Sequence, residues 1–304
     1  MLKIGITGVN GFVGSSLYVY LKSHDYDVIG FSRRKNDSNF TYWNISKSPL
    51  QSPARIDVLV HCAGTVDDWA SYQECYENNC EGTKNALESF PDLQKFIYIS
   101  SCSVYDTKDH SSLISETSPC GNFLNGYSRS KYEAEQIVLN HNTNSQKIIL
   151  RPHVIYGEKD KKIMPRLLKS HKFDRFLVLG DGSNLISITH IENLCAAIKD
   201  SIESKEKFQK EIFNITDEGG LKINTVITHI KKKFNIESKN LYIPTKVAIL
   251  VGYVIESLFS FLRIKKAPLI TRYIVHQLTS NHVISINKAQ KMLKYTPTKS
   301  FVDF

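Results

Sequence analysis

Short apolar runs alternate with longer stretches of helical periodicity through the first half of the chain. The runs are 3–6, 28–31, Val58–His61, 95–100 and 148–150. Runs this short and this uniformly apolar fit strands buried on both faces of a parallel sheet. Between them, 12–21, 70–89 and 127–141 carry helical spacing; the second has Glu74 in its first turn and Pro91 just past its end. The pattern predicts an α/β, doubly wound parallel sheet over about residues 1–160. Beyond Gly157 the rhythm changes, and strand-like runs at 176–179, 212–215 and 241–243 mix with helices. That stretch, 161–304, reads mainly as a smaller mixed α/β lobe covering a substrate, with 186–204 packing back on the first unit. The site is then expected in the cleft between the two.

The first apolar run leads into Thr7-Gly8-Val9-Asn10-Gly11-Phe12-Val13-Gly14 and then a helix. Strand, glycine turn and helix is the context that a dinucleotide site requires. Gly8, Gly11 and Gly14 serve separately for the tight turn, backbone approach to a pyrophosphate, and close helix–strand packing. The helix N-terminus offers free N–H groups and a positive dipole end to phosphate. After the second run stands Ser32-Arg33-Arg34, with no carboxylate. An acidic residue there would hold a ribose 2′-hydroxyl, whereas guanidinium suits a 2′-phosphate, so Arg33 and Arg34 favour NADP over NAD.

Downstream lie Ser100-Ser101 and then Gly126-Tyr127-Ser128-Arg129-Ser130-Lys131. Tyr127 and Lys131 are four apart on one helical face. A phenol of ordinary pKa, about 10, is a poor base at neutral pH, and a neighbouring ammonium lowers that value. Ser101, just past a strand end, can donate to a substrate oxygen as charge develops. Tyr127, Lys131 and Ser101 thus form a candidate acid/base set for hydride transfer, and small Cys62-Ala63-Gly64 would let a cofactor lie across a strand end.

These motifs, with Asn79-Cys80-Glu81-Gly82-Thr83-Lys84-Asn85, the 151–157 segment and 180–194, resemble the extended short-chain dehydrogenase/reductases of the NAD(P)-dependent epimerase/dehydratase branch. The resemblance covers almost the whole chain and implies a Rossmann domain. It implies cofactor contacts from Phe12, Val13, Asn44, Pro152 and His153 as well as the glycines, and a relay-water role for Asn79 near Lys131. It also implies a homodimer contact through 70–89 and 127–141. The chain departs from the family at Asp106, where glycine is usual, and at Asn44, where aspartate is common. His153-Val154 and Ile186 replace an asparagine and an arginine that commonly grip a nucleotide diphosphate.

Composition adds limits. The 304 residues carry a net charge of +9, and their basic residues are scattered apart from 231–233 and 265–266. No nucleic-acid motif accompanies them, so they read as solvated faces. The six cysteines form no Cys-x-x-Cys and no zinc spacing with histidine, so no metal site is expected and reduced thiols are. A strand beginning at residue 2 leaves no room for a cleaved leader, and a cytoplasmic enzyme is expected. The apolar stretch 247–262 is 16 residues long and is interrupted by Glu256. A membrane span needs about 20. It reads as a helix packed in the second lobe or at a subunit contact rather than on a membrane.

Two activities fit. One is epimerisation or 4-keto reduction at C4 of a nucleotide-activated sugar. The other is that of an NADPH-dependent reductase or dehydrogenase of an apolar alcohol or ketone, sterol-like or flavonoid-like, with Leu250, Tyr253 and Phe261 lining the substrate lobe. A non-catalytic NADPH-binding module is the third reading, and the intact Ser101, Tyr127 and Lys131 weigh against it.

Overall fold

The computed structural model describes residues 2–35, 37–106, 108 and 113–303. Its centre is a seven-stranded parallel sheet. The strands are β1 (Lys3–Thr7), β2 (Asp27–Ser32), β3 (Thr41–Tyr42), β4 (Val58–His61), β5 (Lys95–Ile99), β6 (Gln146–Pro152) and a late strand, Lys210–Ile215. Their spatial order places Lys210–Ile215 at one edge, then β6, β5, β4, β1, β2 and β3. The five expected runs are all strands, each within two residues of the expected bounds at either end. β4 and β5 are buried at every position, which explains their uninterrupted apolar sequence.

The late strand corrects the sequence reading. The run at 212–215 was expected in the second lobe; instead it pairs in parallel with β6, Ile212 beside Ile149 and Ile215 beside Pro152. Apolar character marks a strand but does not say which sheet it joins.

Helices cover both faces. α1 (Phe12–Lys22) lies with the later Ile191–Glu203 and Asn287–Leu293 helices on one side, where Leu17, Leu21, Leu194, Ile198 and Leu293 form a core with Ile4 and Ile148. On the other side α2 (Tyr72–Cys75) continues through a π-helical segment, Tyr76–Glu81, into α3 (Gly82–Ser89). These pack with α4 (Gly126–Asn140), burying Cys80, Leu87, Ala134 and Val138 against Leu59 and Phe96. Burying each Leu, Val or Phe side chain among them contributes roughly 1.5–3 kcal/mol.

The second lobe carries its own core around Phe176, Val178, Ile186, Ile227 and Phe301. There Lys239–Ile243 pairs in parallel with Arg175–Leu179. The chain leaves β1 toward the β3 edge, then returns to place β4 on the opposite side of β1. Open sheets bind ligands at the C-terminal ends of strands flanking such a reversal.

Candidate active site

The glycine turn sits at that reversal. Gly8 has φ +66°, and a Cβ there would lie 2.7 Å from Ala63 Cα; one on Gly14 would lie 2.3 Å from the Gly8 carbonyl oxygen. Both positions therefore exclude a side chain and hold β1, β4 and α1 in contact. Gly11 differs: its Cβ would meet only Gly8 O, at 3.1 Å. It is the N-cap of α1, offers no side-chain cap, and no acid stands in the first turn. Free N–H groups, positive dipole and open space fit a pyrophosphate.

A buried chain of hydrogen bonds fixes the neighbouring strand end. Thr83 Oγ1 donates to Asn79 O at 2.5 Å, so it accepts from His61 Nε2 at 3.0 Å. His61 Nδ1 then accepts from Thr7 Oγ1 at 2.7 Å, and Thr7 Oγ1 accepts from the Ala63 N–H at 3.1 Å. Burial lowers the His61 pKa to about 3, which keeps this one neutral tautomer. Burial also pushes the Cys62 thiol up to about 12, so it is no nucleophile at neutral pH.

Tyr127 stands in the first turn of α4, whose N-cap Asn125 accepts from the Ser128 N–H at 2.8 Å. Ser101 follows β5 and accepts from the Ser103 N–H at 3.1 Å, which leaves its own O–H free to donate. Lys131 is 4% exposed. Its Nζ donates to Ile99 O at 2.7 Å and Tyr98 Oη at 3.2 Å, and lies over the Tyr98 ring. Burial lowers its pKa to about 8.

The phenol behaves differently from the sequence expectation. The Tyr127 pKa is raised, because burial outweighs the hydrogen bond from Ser101 that lowers it. Lys131 spends its charge on Ile99 and Tyr98. The Tyr127 phenol therefore holds its proton more tightly than a free tyrosine.

Asn79 lies in the π-helical segment and is buried. Its Nδ2 donates to Thr65 O at 3.1 Å and Ser130 Oγ at 2.8 Å, while Oδ1 accepts from the Thr65 N–H at 2.7 Å. The amide ties the loop after β4 to α4. A Cβ on Gly64 would lie 2.5 Å from Asn79 Oδ1 and 3.8 Å from Lys131 Nζ, so these three residues converge.

A cavity of about 780 Å³ opens over these groups, and Gly11, Phe12, Val13, Gly14, Arg34, Cys62, Gly64, Ser101, Tyr127, Pro152 and His153 all line it. Gly8, Ala63, Asn79 and Lys131 lie behind that lining as supports, and Arg33 and Asn44 are not part of it. Arg33 is exposed, and Asn44 accepts from Ser46 Oγ at 3.0 Å.

Three features escaped the sequence reading. Asp37 folds back so that its carboxylate accepts from Asn10 Nδ2 at 3.1 Å, beside Ser32 Oγ on the same donor at 2.8 Å. A carboxylate thus does stand near the end of β2, together with Arg34. Glu135 pairs with Arg151, accepting from Nε at 2.8 Å and Nη2 at 2.6 Å, and takes the Ser100 hydroxyl at 2.5 Å. Its spacing, four beyond Lys131, was the available signal. Leu250, Tyr253 and Phe261 are exposed and line no part of the cavity. The apolar lining comes instead from Ile186, Ile188, Phe176, Val226 and Ile227, and from Val154 in the strained left-handed region at φ +42°.

Residues 4–216 match the model of the NAD dependent epimerase/dehydratase family. The chain belongs to this family. It is 26% identical to a 2-alkyl-3-oxoalkanoate reductase of Stenotrophomonas maltophilia, over 98% of this chain and 96% of that one. It is 25% identical to a decarboxylating sterol-4-alpha-carboxylate 3-dehydrogenase of Dictyostelium discoideum, over 97% and 96%. Among solved structures it resembles UDP-glucuronic acid 4-epimerase of Bacillus cereus in complex with NAD. That likeness has a TM-score of 0.75 at 24% identity, over 99% of this chain and 95% of that one, a likeness of fold. The chain is thus an NAD(P)-binding enzyme of the epimerase/dehydratase type.

Proposed function

We propose that the protein is an NADP-dependent oxidoreductase that interconverts a ketone and a secondary alcohol on an amphipathic substrate, an apolar body bearing an anionic group. The observation that carries this reading is the cavity wall. Ile186, Ile188, Val154 and Phe176 give the interior an apolar surface, while Lys159, Lys161 and Lys162 line the same cavity; Arg166 there is paired with Asp68 at 3.1 Å, and Asp160 is the other acid of the lining. An apolar pocket with few placed charges selects such a ligand. Both relatives named above take their names from substrates of this kind, an alkyl-substituted oxoalkanoate and a sterol carboxylate.

The bound nicotinamide would supply or accept the hydride. In the reducing direction Tyr127 gives its phenolic proton to the carbonyl oxygen as the carbonyl carbon becomes a secondary alcohol carbon. Ser101 donates a hydrogen bond to the same oxygen. Gly11 and the α1 N-terminus would hold the pyrophosphate, and Arg34 would hold the 2′-phosphate. The Asp37 carboxylate opposes that last contact, which makes the balance between Arg34 and Asp37 the determinant of cofactor choice.

A second reading keeps the chemistry and changes the substrate to a nucleotide-activated sugar reacting at C4. The lysines favour it, since a diphosphate suits them. His153-Val154 and Ile186 weigh against it. The test is NADPH oxidation at 340 nm with 2-alkyl-3-oxoalkanoates, 3-keto steroid acids and 4-keto nucleotide sugars in parallel. Turnover of the amphipathic ketones with the sugars inert is the expected result. Turnover of the sugars alone replaces this reading with the second.

A further inference from the structure

The apolar stretch 247–262, expected as a helix packed in the second lobe or at a subunit contact, forms the helix Thr245–Phe261, which is packed on one side only. Ala248 and Gly252 are its buried residues, seated against the start of the Arg272–Thr279 helix, where a Cβ on Gly252 would come within 3.2 Å of Arg272 N. Glu256 lies on this side. It accepts from the Arg272 backbone N–H and from Arg272 Nε, each at 2.6 Å. The one acid of the helix is therefore neutralised and turned toward the body.

The opposite side is apolar and bare. Leu250 is 63% exposed, Tyr253 56%, Val254 54%, Leu258 51%, Phe261 83% and Leu262 54%. Contiguous exposed apolar surface of this kind marks an interaction site. Its border is cationic: Lys246 at one end, Arg263, Lys265 and Lys266 at the other, all exposed. No acid other than Glu256 occurs from 239 to 272.

We infer that this helix lies in the surface of an anionic lipid bilayer as a peripheral anchor. An in-plane helix needs a bare apolar face to enter the acyl boundary and basic residues to meet the headgroups, and length does not decide the matter. Charge disfavours a second copy as the occupant. Antiparallel packing of two such helices would set Arg263, Lys265 and Lys266 against the partner's Lys246, like against like. Spanning is not involved, since no helix among the described residues is long and apolar enough to cross a membrane.

The anchor adjoins the cavity. Phe259 packs edge-on against Trp69 at 6.2 Å, and Trp69 Nε1 donates to Ile264 O at 3.1 Å. Leu269 and Ile270, a few residues on, line the cavity wall. A docked molecule therefore holds that wall next to the lipid. The inference stands on the surface alone and does not depend on which substrate is reduced.

The test is co-sedimentation of the full chain with vesicles of phosphatidylcholine alone and of phosphatidylcholine with 30% phosphatidylglycerol. The expected result is at least tenfold stronger partitioning onto the anionic vesicles, weakened by 0.5 M salt. Partitioning should also fall at least tenfold in the double variant Leu250→Asp/Phe261→Asp. Both side chains are exposed, so the variant's thermal unfolding should match that of the parent. Absence of partitioning, or partitioning that the double variant leaves unchanged, would overturn the inference. So would a lipid-free dimer that dissociates in the double variant, which would assign the face to self-association.

Discussion

Lys131 Nζ donates to the carbonyl oxygen of Ile99 at 2.7 Å, which pins α4 to the C-terminal end of β5, two residues before Ser101. Burial takes the ammonium out of water, and its pKa falls to about 8. Lys131 is therefore charged below that pH and neutral above it. If its charge is needed to hold the cofactor ribose, kcat/KM for reduction should fall as pH rises through about 8. Tyr127, with its raised pKa, remains a proton donor across that range. A profile flat to pH 10 would remove the charged lysine from the mechanism.

Tyr127→Phe removes the proton donor and leaves the ring that lines the cavity. Turnover should drop by about 10²–10⁴-fold, the usual contribution of a positioned acid. NADPH affinity, read by fluorescence titration, should stay within a few-fold of the parent. Equal losses in both would mean that the phenol holds the cofactor rather than moving a proton.

Much of this site is legible from the chain because its parts are local. The glycine turn, the Ser101 segment and the Tyr127–Lys131 spacing each lie within a few consecutive residues, and strands buried on both faces announce themselves by unbroken apolar character. What escapes is set by distant contacts. Lys210–Ile215 joins the main sheet only because β6 leaves an open edge. β3 has two residues, too few for any pattern. Asp37 reaches Asn10 through a loop with no periodicity. The helix Thr245–Phe261 is apolar around most of its circumference, so periodicity alone does not say which side is bare.

On the proposed reading, cofactor choice turns on Arg34 and Asp37. Arg34→Ala should weaken NADPH binding about tenfold or more, the scale of a charge-assisted hydrogen bond at ~1.5–3 kcal/mol, and leave NADH nearly unchanged. Asp37→Asn should move the ratio the other way by removing repulsion of the 2′-phosphate. Arg33→Ala should do little, since that side chain is outside the cavity lining. If Arg34→Ala weakens NADH as much as NADPH, the 2′-phosphate contact assigned to it is wrong.

The buried pair Arg151–Glu135 explains how strand β6 and helix α4 stay in register beneath the site. Both side chains are almost fully shielded, at 3% and 0% exposed. Arg151 also stacks on the Tyr105 ring at 4.8 Å, and Tyr105 Oη donates to Asn214 Oδ1 at 2.6 Å on the late strand. One charged cluster thus joins α4, β6 and Lys210–Ile215. Removing one partner strands the other charge in a dry interior, so Glu135→Gln should cost about 3–5 kcal/mol in urea unfolding. Replacing both, as Arg151→Met/Glu135→Leu, removes the unpaired charge and should recover most of that loss. The two variants separate an electrostatic brace from a packing role. If the double variant is less stable than Glu135→Gln, the shape of the two side chains matters more than their charge.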